Sequence, residues 1–181
     1  LQKLGKAIML PVAVLPVAAI MMGIGYAMCP ATMQGGDVTG IIQIIGFALV
    51  KIGSAVIDKL PMLFAVGVAI GLSKDQHGAA GLAGLVAFLT VTTVLNSGVV
   101  ATMMGAEEAP LAFSKIDNAF IGIISGITAS ICYNRFSSAQ LPTALAFFSG
   151  KRCVPIVTSF VMVAESAILY FVWPMLFNAL V

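Results

Sequence analysis

The stretch AIMLPVAVLPVAAIMMGIGYAM (Ala7–Met28) decides the class of fold. It runs without a charge for at least the ~20 residues that a helix needs to cross a bilayer. Pro11 and Pro16 lie inside it. In water they would break a helix, but in a membrane bundle neighbouring groups satisfy the freed carbonyls, so a kinked crossing is expected. Lys3 and Lys6 precede the run as cations precede a signal peptide, yet the apolar part of such a peptide spans only ~7–15 residues. Further apolar runs follow, and Ala7–Met28 reads as a retained helix. The whole chain has the same character: of its 181 residues, 60% are hydrophobic and 9% charged, whereas an ordinary soluble domain has roughly a quarter charged. That is too little charge to cover a wet surface, so the expected fold is an all-α polytopic membrane protein. The net charge of +2 is small and dispersed, and no nucleic-acid partner is expected.

Outward from this helix, Cys29–Gly40 reads as a loop, with Pro30, Gly35, Gly36 and Asp37. Two apolar pieces follow, Ile41–Ile57 and Pro61–Leu72, separated by Asp58-Lys59-Leu60. Pro61 disfavours helical geometry at Leu60, so a break is expected there. Either the first piece lies along the interface or the two share one broken crossing. Ser73-Lys74-Asp75-Gln76-His77 is a polar break, and Gly78–Met104 is the next apolar run. Asn96-Ser97-Gly98 interrupts that run, and its last part is expected to be loop. Glu107, Glu108, Lys115 and Asp117 mark another loop, followed by apolar Ala119–Tyr133. The stretch LPTALAFFSGKRCVPI (Leu141–Ile156) sets aromatic rings beside Lys151 and Arg152 at the foot of a last crossing, Cys153–Phe177, as suits a membrane interface. Gly67 with Gly71, and Gly122, Gly126 and Ser130, are small-residue steps that let helices approach closely. About five crossings result, one of them broken or preceded by an interfacial helix.

Cations near crossings favour the cytoplasmic side. With the N-terminus inside and Ile41–Leu72 counted as one net crossing, Lys3, Lys6, Lys74, Arg135, Lys151 and Arg152 all fall inside. Lys115, Asp37, Glu107, Glu108 and Asp117 fall outside. Two crossings in Ile41–Leu72 would invert most of these cations.

Candidate chemistry is sparse. Gly23 and Gly25 lie in an apolar run and form no phosphate cradle. Cys29, Cys132 and Cys153 have no paired spacing and read as buried small hydrophobes. The chain has one histidine, His77, and with Asp75 alone it makes no metal site. Lys74, Asp75 and His77 read either as a solvated turn or as a polar cluster at a cytoplasmic mouth that faces a partner. Lys151 and Arg152 read as interfacial anchors, with contact to a partner as the alternative. Glu165, inside the last apolar run, either hydrogen-bonds a neighbouring helix or serves a substrate or proton path. No catalytic residue, metal or cofactor is identified.

Four blocks carry a family resemblance: LQKLGKAIMLPVAVLPVAAI (Leu1–Ile20), LPMLFAVGVAIGLSKDQHGAAGLAG (Leu60–Gly84), IDNAFIGIISGITASICYNRF (Ile116–Phe136) and LPTALAFFSGKRCVPI (Leu141–Ile156). With Val172-Trp173-Pro174 they cover almost the whole chain. It resembles the N-terminal half of the membrane-embedded enzyme IIC of the phosphoenolpyruvate-dependent sugar phosphotransferase system, glucose/N-acetylglucosamine/maltose branch. The family usually has a bulkier apolar residue where Cys153 stands.

The resemblance implies that residues 1–181 form the scaffold and dimerisation half of a sugar permease in a bacterial plasma membrane. The expected partners are a glucose- or N-acetylglucosamine-type sugar, cytoplasmic IIB and IIA phosphotransfer domains, the lipid bilayer and a second copy. The sugar site is expected outside this chain, in the other half. Neither His77 nor Glu165 maps onto the motifs of that half. A transferase component with no catalytic residue of its own is thus expected. Two other readings are a stand-alone truncated module that dimerises with or regulates a full-length carrier, and an unrelated proton-coupled transporter using Glu165.

Overall fold

The computed structural model describes residues 2–180, which form helices and no strand. In chain order the α-helices are α1 (Gln2–Val12), α2 (Leu15–Met28), α3 (Ala31–Gln34), α4 (Ile41–Asp58), α5 (Leu60–Leu72), α6 (Gly78–Val94), α7 (Ser97–Met104), α8 (Leu111–Ser114), α9 (Ala119–Phe136) and α10 (Cys153–Leu180). Two 3₁₀ segments, Thr143–Phe148 and Gly150–Arg152, lead into α10. Gln2–Met28, Ile41–Asp58, Ala119–Phe136 and Gly150–Ala179 are long and apolar enough to cross a bilayer. Gly78–Val94 and Ser97–Met104, bent by 49° at their junction, make a fifth span if taken together. The protein is a multi-pass all-α membrane protein of the expected size. The exposed faces agree: Phe160, Phe171 and Met175 on α10 are each more than 70% accessible, a surface suited to lipid rather than water.

The proline-bearing first run divides at Ala13-Val14, and α2 restarts with Pro16 in its first turn. A proline there lacks only an N–H that would have been unpaired anyway. The same logic places the next break: the chain turns at Lys59, and Pro61 sits in the first turn of α5. One expectation fails. The segment from Ser97 to Met104 is helix, not loop, because Asn96 caps it: its side-chain oxygen accepts the Gly98 N–H at 3.0 Å. The residues that end α6 therefore start α7, as a helix-capping asparagine can.

The chain forms two compact units, one of Met9–Leu60 and one of Leu1–Ile8 with Pro61–Val181. In the first, α2 and α4 pack through glycines. A Cβ on Gly25 would lie 2.6 Å from the Gly46 carbonyl oxygen, and one on Gly53 would lie 2.7 Å from that of Ala18. In the second, short α5 is held between α6 and α9 by small residues. Gly84 faces Ala65 and Ala69, Gly126 faces Ala65 and Val68, and Gly122 faces the carbonyl of Pro61. Gly71 packs on Ala7. The stripe of Gly122, Gly126 and Ser130 is thus buried among the chain's own helices, as a helix-packing stripe should be. Packing, rather than the hydrophobic effect, drives such contacts in lipid, and small residues let backbones meet. Helix α10 closes the unit against α6 and α9, its buried Trp173 donating Nε1–H to the Ala112 carbonyl at 2.7 Å.

Candidate functional site

One end of the second unit gathers most of the polar residues singled out above. The apolar face of α5 stops at Leu72, and the turn that follows must hold its backbone without help from lipid. Asn134, at the end of α9, supplies that help. Its side-chain oxygen accepts the Lys74 N–H at 2.8 Å, its amide donates to the Leu72 carbonyl at 3.1 Å, and its own carbonyl accepts from Lys74 Nζ at 3.3 Å. Next in the turn, Asp75 Oδ2 accepts from Lys151 Nζ at 2.6 Å and from the Tyr133 hydroxyl at 3.0 Å. Gln76 then takes a left-handed conformation, φ 50°. A single turn is thereby tied to the end of α9 and to the foot of α10.

Lys74, Asp75 and His77 lie at this one end but have separate partners. Asp75 is joined to Lys151, not to His77. The His77 ring instead caps α6, Nδ1 accepting the Ala79 N–H at 3.1 Å, which offers one of the orphan donors of a helix start a partner. Arg152 donates to the Phe147 carbonyl at 3.3 Å, and its guanidinium carbon lies 4.9 Å from the Phe147 ring centroid. Both contacts suit an aromatic-and-cation anchor. Cys29, Cys132 and Cys153 are buried free thiols, as expected. Tyr133 and Asn134 are the residues that sequence reasoning missed. Their signal was a polar pair at the end of an apolar helix whose companion turn carries the complementary groups.

The Lys151 hydrogen bond, followed by that of Tyr133, holds the Asp75 carboxyl down at about 2, below its ordinary 3.8. Both partners remain roughly two-fifths exposed, so water screens the pair and its value is positional. The native pKa lies below the unfolded one, so the contribution of this pair is complete above pH 3.8 and lost as pH falls through about 2. A carboxyl-carbon NMR titration should give Asp75 a midpoint near 2, returning toward 3.8 in Lys151→Gln. An ordinary midpoint in the unmutated protein would show that the pair does not form.

With this arrangement in view, the comparison with known proteins is decisive. The model of the family described as "Phosphotransferase system, EIIC" matches residues 5–181. The chain belongs to this EIIC family. A curated relative, the PTS system N-acetylglucosamine-specific EIICB component of Bacillus subtilis (strain 168), is 39% identical over 176 residues, or 96% of this chain and 32% of the relative. The chain thus spans about a third of that relative's length.

Membership of the EIIC family sets aside the reading as an unrelated proton-coupled transporter. Glu165 lies near the middle of α10, away from the polar end. Its Oε1 is buried without a hydrogen-bond partner among the described residues, as are the hydroxyls of Ser125, Thr158 and Ser166. Among the described residues its carboxyl also forms no ion pair. Within this EIIC chain the residues brought together are those of the polar end, and they hold a turn in place.

Proposed function

We propose that this chain is the N-terminal scaffold and dimerisation half of the membrane permease component of a sugar phosphotransferase system. The whole component takes up a glucose- or N-acetylglucosamine-type sugar and couples its passage to phosphorylation by IIB and IIA domains. The observation that carries this reading is the family match over nearly the whole chain, together with a relative named for N-acetylglucosamine. Phosphoryl transfer is assigned to the partner domains and sugar recognition to the other half, so no residue here receives a catalytic role.

The polar end is assigned to the cytoplasmic side of a bacterial plasma membrane, with the N-terminus inside. Supporting this, Lys3, Lys6 and Lys74 line one cleft with Asp75, which Lys151 holds, while Glu107 and Glu108 line a separate one. Clustered cations at one end follow the positive-inside bias. There the tied turn would present a fixed surface to the phosphotransfer domains. Because Gly71, Gly122 and Gly126 pack within the chain, the homodimer contact is assigned to other faces.

The test uses cells that lack their own carrier but supply the phosphorelay. The complete reading frame that contains this chain should give phosphoenolpyruvate-dependent uptake of labelled N-acetylglucosamine or glucose as the phosphate ester, and residues 1–181 alone should give none. Uptake by residues 1–181 alone, or uptake of free sugar, would contradict the assignment. Undiminished uptake by Glu165→Gln would remove any proton-path role from that residue.

A further inference from the structure

We propose that the cleft at the polar end binds the phosphate of an anionic phospholipid headgroup through Lys3, Lys6 and Lys74. The cleft measures about 580 Å³ and is walled by three separate parts of one unit: the start of α1, the turn after α5, and Asn134 from α9. That volume suits a small ligand or headgroup and is far from the broad patch that a protein partner covers.

Its charge is one-sided. Lys3 and Lys6 stand three residues apart on α1, hence on one side of it, and both face this cleft with Lys74. The one carboxylate in the lining, Asp75, already accepts from Lys151 and Tyr133. Lys151–Asp75 is the sole ion pair among the described residues, so the three lysines carry no compensating acid. Among the described residues Lys74 Nζ reaches only the Asn134 carbonyl, and an ammonium has three donors to give. The Asn134 side chain is held in place by the Lys74 N–H it accepts and the Leu72 carbonyl it donates to. It serves as frame, and the lysines are left to meet the anion.

The position selects the source of that anion. Lys6 directly precedes the apolar run, and Ala7 beside it is buried against Gly71. Lys3 and Lys6 thus stand in the first turns of the Gln2–Met28 span, ahead of its uncharged part, where a helix end meets lipid headgroups. Basic pockets between helix ends at that level are suited to phosphate-bearing lipids.

The experiment is native mass spectrometry of the protein in neutral detergent, with phosphatidylglycerol or phosphatidylcholine added. Phosphatidylglycerol should stay bound and phosphatidylcholine should not. The triple variant Lys3→Gln, Lys6→Gln, Lys74→Gln should bind phosphatidylglycerol about 100-fold more weakly, while Lys115→Gln on another loop leaves binding unchanged. Should the triple variant fail to fold, Lys6→Glu should weaken binding and Lys6→Arg should preserve it. Inorganic phosphate at millimolar concentration should not displace the lipid. Displacement by phosphate, with phosphate retention that depends on the lysines, would assign the site to a soluble anion and overturn the lipid. Equal binding of both lipids, binding indifferent to the lysines, or capture of a phosphotransfer domain that needs these lysines and excludes no lipid would also overturn it.

Discussion

Gly122→Ala is expected to destabilise the protein by about 2 kcal/mol and Gly122→Leu to prevent its accumulation. A Cβ at Gly122 would run into the Pro61 carbonyl oxygen, with the Pro61 carbonyl carbon at 3.0 Å and Cα at 3.3 Å. Every one of those atoms is backbone and cannot rotate away. Alanine gains about 1 kcal/mol of helix propensity over glycine, but overpacking a tight contact costs about 1–3 kcal/mol and occasionally more. The rigid neighbour puts Gly122 at the upper end, so the penalty wins. Two controls give the ranking its force. At Gly81 the nearest atom is the Cδ1 of Ile70, the end of a flexible side chain, at 2.7 Å; at Gly23 nothing lies within 4 Å. Gly81→Ala should cost less than 1 kcal/mol, and Gly23→Ala should be neutral or stabilising by up to about 1 kcal/mol. Unfolding in mixed micelles, followed by far-ultraviolet circular dichroism, checks the order. Equal stability of Gly122→Ala and the unmutated protein would mean that α5 and α9 do not meet at this point.

Trp173→Ala should cost about 3 kcal/mol in the same measurement. The ring is 4% exposed, lies 6.2 Å from that of Phe120 and 6.3 Å from that of Phe177, and donates to Ala112 at 2.7 Å. Truncating a buried tryptophan in a soluble core costs about 3–5 kcal/mol. The low end applies here because lipid tails are as apolar as the side chains, which leaves lost packing as the main term. Trp173→Phe keeps much of the ring contact and removes the N–H, so about 1 kcal/mol should be lost as the Ala112 carbonyl goes unpaired. A near-neutral Trp173→Ala would show that α10 does not close on α8 and α9 as described.

The spans were legible because bilayer crossing demands long uncharged runs, and breaks such as Ser73–His77 interrupt them visibly. The start of α10 at Cys153 was legible for the same reason, since Lys151 and Arg152 mark the interface. What local pattern could not settle was the meaning of Asn96-Ser97-Gly98, which reads as a turn and acts as a cap for α7. The polar end was half legible. Lys74, Asp75 and Lys151 stood out as charges in an apolar chain, but their pairing joins residues 76 apart. Tyr133 and Asn134 form a polar pair at the end of a helix, but local sequence does not say that their partners lie in a turn 58–62 residues away. The small-residue stripes were visible as contact surfaces, while their occupants, the chain's own α5 and Ala7, follow only from the tertiary arrangement.

The central claim is that the end holding Asp75, Asn134 and Lys151 faces the cytoplasm and the Glu107 loop faces outward. Single-cysteine labelling in intact cells tests it, and the native cysteines are all buried, which keeps the background low. Glu107→Cys should react with a membrane-impermeant maleimide added outside, and Arg152→Cys should react only after the membrane is opened. Labelling of position 152 from outside, with position 107 protected, would contradict the account.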